Sequence, residues 1–226
     1  MKLPLFINPL DMHRIGDCRW PIAEGRYRES AEFIVEVRSM CRDHPEHIGK
    51  YLHGGKEPDP FRLMDRVSIR AFMEQHRDKL KGRVLDFGAG TQPYRDLVEG
   101  EYVPYELNSL ESVMDGRLAE AFDAVICNQV LQYTAWADDI LGTLPARLKR
   151  GGHLIVTYAT NWPEVPNDCY GYSCDRFRYT FKAMEEIIAR AMGGYYGSIV
   201  DHQRRCEIRL GSFVLPIGGG IVGRKP

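Results

Sequence analysis

Residues 83–91, Arg83-Val84-Leu85-Asp86-Phe87-Gly88-Ala89-Gly90-Thr91, place an acid and two glycines at the end of a short apolar run. Val and Leu before the acid suit a buried strand, and the glycines mark the turn that ends it. Thr91 suits a helix N-cap, and Pro93 suits the first helical turn. Glycines let a backbone approach a ligand closely, and a helix start offers free N–H groups. Gly88, Gly90 and Thr91 are therefore expected to line a nucleotide-type pocket. Asp86 narrows the choice of nucleotide. Its carboxylate would repel a pyrophosphate and attract a cationic, amino-acid-bearing adenosine.

Glu106 follows Gly88 by 18 residues, at the end of a second apolar run over 101–107. A carboxylate there can accept from both hydroxyls of a ribose. Leu107 would cover an adenine face, and Asp115 would accept from the adenine amino group. The rival is a dinucleotide site with the fingerprint G-x-G-x-x-G. Here Pro93 stands at the third glycine position, and Asp86 would face the phosphates.

These residues need a sheet to carry them. Strand patterns occupy 83–87, 101–107, 122–128, 153–158, 198–210 and 213–224. Helical patterns run from 91 to about 99, over 136–150 up to Gly151-Gly152, and over 180–192. Upstream, 29–42 and 61–80 carry helical apolar stripes, and a loop rich in Gly, Pro and His lies between them. Alternating strands and helices predict a parallel sheet, in which ligands sit beyond the carboxyl ends of the strands. The last two strands are separated by little more than a turn, so they must pair antiparallel. Asp86, Glu106, Asn128, Gln129, Asn161 and Trp162 all fall at carboxyl ends. The loop after 158 is long enough to suggest a role at the site.

Composition excludes several classes. The chain has 226 residues, 44% hydrophobic, with a formal net charge of -1. That balance points to neither nucleic acid nor a membrane surface. No apolar run reaches the roughly 20 residues of a membrane-spanning helix. Residues 1–9 are too short an apolar stretch, broken by prolines, for a signal peptide. A cytoplasmic location is expected. The 6 cysteines form no C-x-x-C pair, which argues against zinc, and Cys169 and Cys174 are read as free thiols. Cys127 reads as core. His44, His47 and His53 lack a helical H-x-x-x-H spacing, and His153 reads as a packing residue. No metal is expected.

With these residues in view, the chain resembles the class I S-adenosylmethionine-dependent methyltransferases. Residues 83–90 are similar to that family's first motif, and Tyr102-Val103-Pro104-Tyr105-Glu106-Leu107-Asn108 to its second strand with the ribose-binding acid. Residues 122–131 resemble its fourth strand and the helix start that follows. Residues 148–156 resemble the L-K-P-G-G turn into its fifth strand, with Arg150 in place of proline. Asp175-Arg176-Phe177-Arg178-Tyr179-Thr180 resembles the D-x-x-R-Y-T segment of small bacterial members, and 221–226 their closing strand. Where many relatives carry Glu-His after the fourth-strand leucine, this chain has Gln132-Tyr133. A histidine base is therefore absent there.

The resemblance implies a Rossmann-like, mostly parallel seven-stranded sheet with helices on both faces and an antiparallel C-terminal strand. It implies a methyltransferase domain over 61–226, with residues 1–60 as a helical and loop extension acting as a lid. S-adenosyl-L-methionine is the implied cofactor. Its contacts would be Asp86, Gly88, Gly90, Thr91, Glu106, Leu107 and Asp115, with Asn128 and Gln129 on the methionine moiety. Tyr133, Asn161, Trp162 and Tyr172 would face the methyl acceptor, with Tyr133 the candidate base. Arg178 is placed with them, and with Tyr179 it could pin the long loop. The acceptor is expected to be a small polar molecule, sugar-like or a natural-product intermediate. A macromolecular acceptor and a non-catalytic scaffold of the same fold are the alternatives. The sequence does not set the oligomeric state.

Overall fold

The structure, a computed structural model, describes residues 60–106, 121–161, 177–210 and 213–226. Residues 1–59 of the expected 1–60 lid lie outside the described residues, as do Leu107, Asp115, Trp162, Tyr172, Cys169 and Cys174.

Helix α1 (Pro60–Gln75) leads through a 3-10 turn to β1 (Lys81–Phe87) and then β2 (Glu99–Tyr105). After β3 (Phe122–Asn128) come α2 (Ala137–Thr143), β4 (Leu148–Ala159), α3 (Phe181–Ala191), β5 (Ile199–Leu210) and β6 (Phe213–Arg224). The six described strands form one sheet in the order β2-β1-β3-β4-β6-β5. β1 pairs in parallel with β2 and β3, and β3 with β4. β6 runs antiparallel to both β4 and β5, as the short connection between the last two strands predicts.

Alternation along the strands divides the core into two layers. Leu85, Val125, Leu154 and Ile221 face α2 and α3, packing with Ile140, Leu141, Met184 and Ile188. Val84, Ala124, Ile155 and Val222 face α1, packing with Ile69, Phe72 and Met73. Helices therefore cover both faces. β3 is apolar and buried on both sides for nearly its whole length, as a central parallel strand must be. Cys127 is fully buried in it, in agreement with its reading as core.

Two expected helices are corrected. The helix expected from residue 91 to about 99 is a single 3-10 turn over Arg95–Leu97. Thr91 caps nothing, because Gln92 adopts a left-handed φ of 57° and its N–H closes a tight turn on the Ala89 carbonyl at 2.8 Å. The 136–150 helix divides into α2 and a 3-10 turn over Leu144–Arg147, with Pro145 at its start, where a proline cannot continue an α-helix. β4 is also longer than the 153–158 pattern, because Leu148 already pairs with Phe122.

No helix among the described residues is long and apolar enough to cross a membrane.

Candidate functional site

The carboxyl ends of β1, β2, β3 and β4 lie side by side, and the candidate site is built on them. Asp86 is 2% exposed near the end of β1. Its Oδ2 accepts from the Tyr102 hydroxyl on β2 at 2.5 Å. Burial pushes the Asp86 carboxyl up to about 7, opposed by the Tyr102 hydrogen bond and reinforced by the nearby Glu106 charge. Burial likewise raises the Tyr102 phenol, and the negative Asp86 raises it further.

Gly88 has φ 76°, and a Cβ there would run into Cγ2 of Val130. Gly90 has φ 49° and open space around its missing Cβ. The turn is thus closed by packing at Gly88 and open at Gly90. The N–H groups of Gly88 and Ala89 both donate to the Tyr105 carbonyl, at 2.7 and 3.2 Å. This corrects the expectation of free amides at these positions. They extend the β1–β2 ladder instead. β2 ends at Tyr105, so Glu106 is the first residue beyond it, exposed and one strand away from Asp86. Thr91 is exposed on the same turn.

Behind the turn stands Arg70 of α1, an element not assigned to the site from sequence. Its Nη1 and Nη2 donate to the two Asp96 oxygens at 2.8 and 2.6 Å, and Nη1 also reaches the Pro93 carbonyl at 3.3 Å. Its Nε donates to Glu74 at 2.7 Å. These carboxylates hold the guanidinium above its already high ordinary pKa.

At the end of β3, Asn128 Oδ1 accepts from the Thr157 hydroxyl of β4 at 3.0 Å, and its Nδ2 is buried with no partner among the described residues. Gln129 holds a left-handed φ of 54°, and its N–H donates to the Thr157 carbonyl at 3.1 Å. Non-glycine residues in that region concentrate at functional sites. Sequence reasoning does not place Gln132 at the site, yet it is 4% exposed and donates through Nε2 to Gln129 Oε1 at 2.8 Å. Only its place in a departure from the family pattern singled it out. Tyr133, next along, is 42% exposed.

A strap from the next segment crosses this turn. Phe177 N–H donates to the Gln132 carbonyl, the Tyr179 hydroxyl to the Leu131 carbonyl, and Tyr179 N–H to the Ala159 carbonyl. The loop is therefore pinned where its helix begins, chiefly through Tyr179. Arg178 Nη1 bonds the Phe177 carbonyl at 2.8 Å. Asn161 is exposed and donates to the Pro216 carbonyl at 2.7 Å, which ties the end of β4 to β6.

A second polar cluster, Tyr158, His202 and Glu185, lies toward the other edge. Tyr158 Oη and His202 Nε2 are 2.5 Å apart, and His202 Nδ1 is 2.9 Å from Glu185 Oε1. Tyr158 is fully buried on the face opposite Asn128 and Thr157. Among the described residues, no group of three or more His, Cys, Asp or Glu is placed to hold a metal.

No protein-family profile matches the sequence, and no curated protein matches it. The fold has counterparts among solved structures. A possible exported protein from Bordetella parapertussis superposes with TM-score 0.51 at 12% identity, over 96% of this chain and 95% of that one. An S-adenosylmethionine-dependent methyltransferase from Mesorhizobium loti gives TM-score 0.49 at 13% identity, over 71% of this chain and 99% of that one. The 1,6-didemethyltoxoflavin-N1-methyltransferase of Burkholderia thailandensis gives TM-score 0.47 at 14% identity, over 100% of this chain and 93% of that one. At such identities the likeness speaks to fold alone. The parallel run β2-β1-β3-β4 with helices on both faces is by its own topology Rossmann-like, and the antiparallel β6 makes the described sheet mixed.

Proposed function

We propose that this chain is an S-adenosyl-L-methionine-dependent methyltransferase acting on a small polar acceptor. The observation that carries the reading is the arrangement of two carboxylates around one glycine turn. Asp86 is buried before it, and Glu106 is exposed at the end of the adjoining strand. A dinucleotide would set its pyrophosphate on the turn amides, yet those of Gly88 and Ala89 already bond Tyr105, and the neighbouring charge is negative. A cationic ligand with a ribose suits the same donor set. Asp86 offers the countercharge and Glu106 accepts from the ribose hydroxyls. The open side of Gly90 admits close approach, with Thr91 beside it. Asn128 Nδ2, unpartnered among the described residues, offers a donor suited to a methionyl carboxylate. Leu107 and Asp115 are assigned to the adenine from sequence.

When bound, the cofactor supplies a methyl group on a sulfonium, open to in-line displacement. The protein's task is to align the acceptor and exclude water. Tyr133 is the proposed base, exposed at this end of the sheet. Asn161, Trp162, Tyr172 and Arg178 are proposed to contact the acceptor, with residues 1–60 as a lid. Calorimetry tests the cofactor. S-adenosylhomocysteine is expected to bind and NAD is not. Micromolar NAD binding with no response to S-adenosylhomocysteine would end the reading.

A further inference from the structure

We propose that the carboxamide pair Gln129–Gln132 docks an uncharged group of the methyl acceptor that presents both a hydrogen-bond donor and an acceptor. The inference rests on the methyltransferase reading above.

The pair leaves hydrogen-bonding capacity unmet inside the protein. Gln132 Nε2 satisfies Gln129 Oε1, while Gln132 Oε1 and Gln129 Nε2 are buried with no partner among the described residues. Exchanging oxygen and nitrogen on both side chains reverses the bond and still leaves one carbonyl oxygen and one amino group unmet. Buried polar groups are nearly always paired, so an unmet pair of opposite kind points to a missing ligand. The two atoms together match one donor and one acceptor.

The turn is held in place before any ligand arrives. Gln129 keeps its strained φ through the Thr157 carbonyl, and the Gln132 carbonyl is fixed by Phe177 N–H from the opposite side. A pre-organised dock of this kind discriminates strongly, because an analogue lacking the matching group leaves the protein atoms unpaired. Its neutrality sets the class. An ammonium would be matched by a carboxylate and a carboxylate by Arg or Lys, whereas carboxamides match neutral polar groups. Tyr133 and Trp136 follow Gln132 by one and four residues, are 42% and 49% exposed, and offer aromatic faces to a ring. A ring amide and the vicinal hydroxyls of a sugar share this chemistry.

The test titrates the protein, free and loaded with S-adenosylhomocysteine, with nicotinamide and methyl glucoside as neutral probes. Nicotinate and benzylamine are the charged counterparts, and binding is followed by ligand-observed NMR. At least one neutral probe is expected to bind roughly fivefold or more tightly than either charged one, and which one binds separates ring amide from sugar. Gln132→Leu should remove that advantage and keep S-adenosylhomocysteine affinity within about twofold; it deletes one unmet atom but leaves Gln129 Oε1 unpaired in its place, so the thermal midpoint is not the readout. A purely structural glutamine would leave the probe preference unchanged, whatever the midpoint does. Gln132→Glu should shift preference toward benzylamine. Charged probes binding as well as neutral ones, no neutral probe binding, or an unchanged preference in Gln132→Leu would each overturn the inference. Failure of S-adenosylhomocysteine to bind the wild type would instead overturn the cofactor reading.

Discussion

The hydroxyl of Tyr102 on β2 donates to the carboxylate of Asp86 on β1 at 2.5 Å, beneath the glycine turn. The bond joins the two strands whose ends carry the candidate site. It also gives the buried acid its one described hydrogen bond. A single neutral donor does not compensate the loss of water, so Asp86 remains easy to protonate.

That has a consequence for stability. Asp86 is pushed by burial to about 7 from an ordinary 3.8, so the folded protein binds a proton there more tightly than the unfolded chain. Its stabilising contribution is present below about pH 4 and is lost as pH rises through 7, on the order of 2–4 kcal/mol in all. Asp86→Asn keeps an acceptor for Tyr102 and removes the titration. The variant is expected to show a flatter thermal midpoint between pH 4 and 8 and a higher midpoint at pH 8. Identical pH slopes would show that Asp86 is ionised in the free fold.

Glu106 makes the complementary prediction. It is exposed just beyond β2, so its removal leaves no cavity. Glu106→Ala should keep the wild-type thermal midpoint and weaken S-adenosylhomocysteine by roughly ten- to a hundredfold, about 1.5–3 kcal/mol for a charge-assisted bond. An unchanged dissociation constant would make Glu106 a solvated strand end.

Arg70 gives a test of how the turn is held. It is 5% exposed and grips both Asp96 oxygens from α1. Its two carboxylate partners reach solvent, so Arg70→Met should cost a moderate amount, roughly 1.5–3 kcal/mol, and weaken S-adenosylhomocysteine as the turn loosens. Arg70→Lys should rescue little, because one ammonium cannot reproduce a two-pronged grip. Full rescue by lysine would show that charge alone matters.

What could be read from the sequence follows from the range of the interactions. The apolar run 122–128 and the closing strand 213–224 are found where their patterns put them, because burial on both faces leaves a local signature. The placement of Asp86, Gly88 and Glu106 at strand ends and turn is legible because a strand end before a glycine turn is a local motif. The helix expected after Thr91 gives way to a tight turn, because Thr and Pro suit a turn as well as a helix start and the left-handed Gln92 decides between them. The Arg70–Asp96 grip joins residues 26 apart, and Tyr158–His202 joins residues 44 apart. No periodicity records such pairs. Gln132 is marked in the sequence only by its departure from the family pattern, because its burial is set by the tertiary fold.

The two glycines of the turn should behave differently, and the difference tests which side faces the ligand. Gly88 combines φ 76° with a Val130 methyl in the way of any Cβ. Gly88→Ala should therefore destabilise the fold by about 2–4 kcal/mol, with part of the loss recovered in the Gly88→Ala, Val130→Ala double variant. Gly90 has φ 49° and open space, so Gly90→Ala should cost only about 1 kcal/mol of stability. If the open side receives the cofactor, the same methyl group should weaken S-adenosylhomocysteine by more than that. Thermal midpoints and calorimetry on the three variants separate the two effects. Full affinity in Gly90→Ala would mean that the ligand does not approach the turn from its open side, and that Glu106 and the end of β3 bind it from another direction.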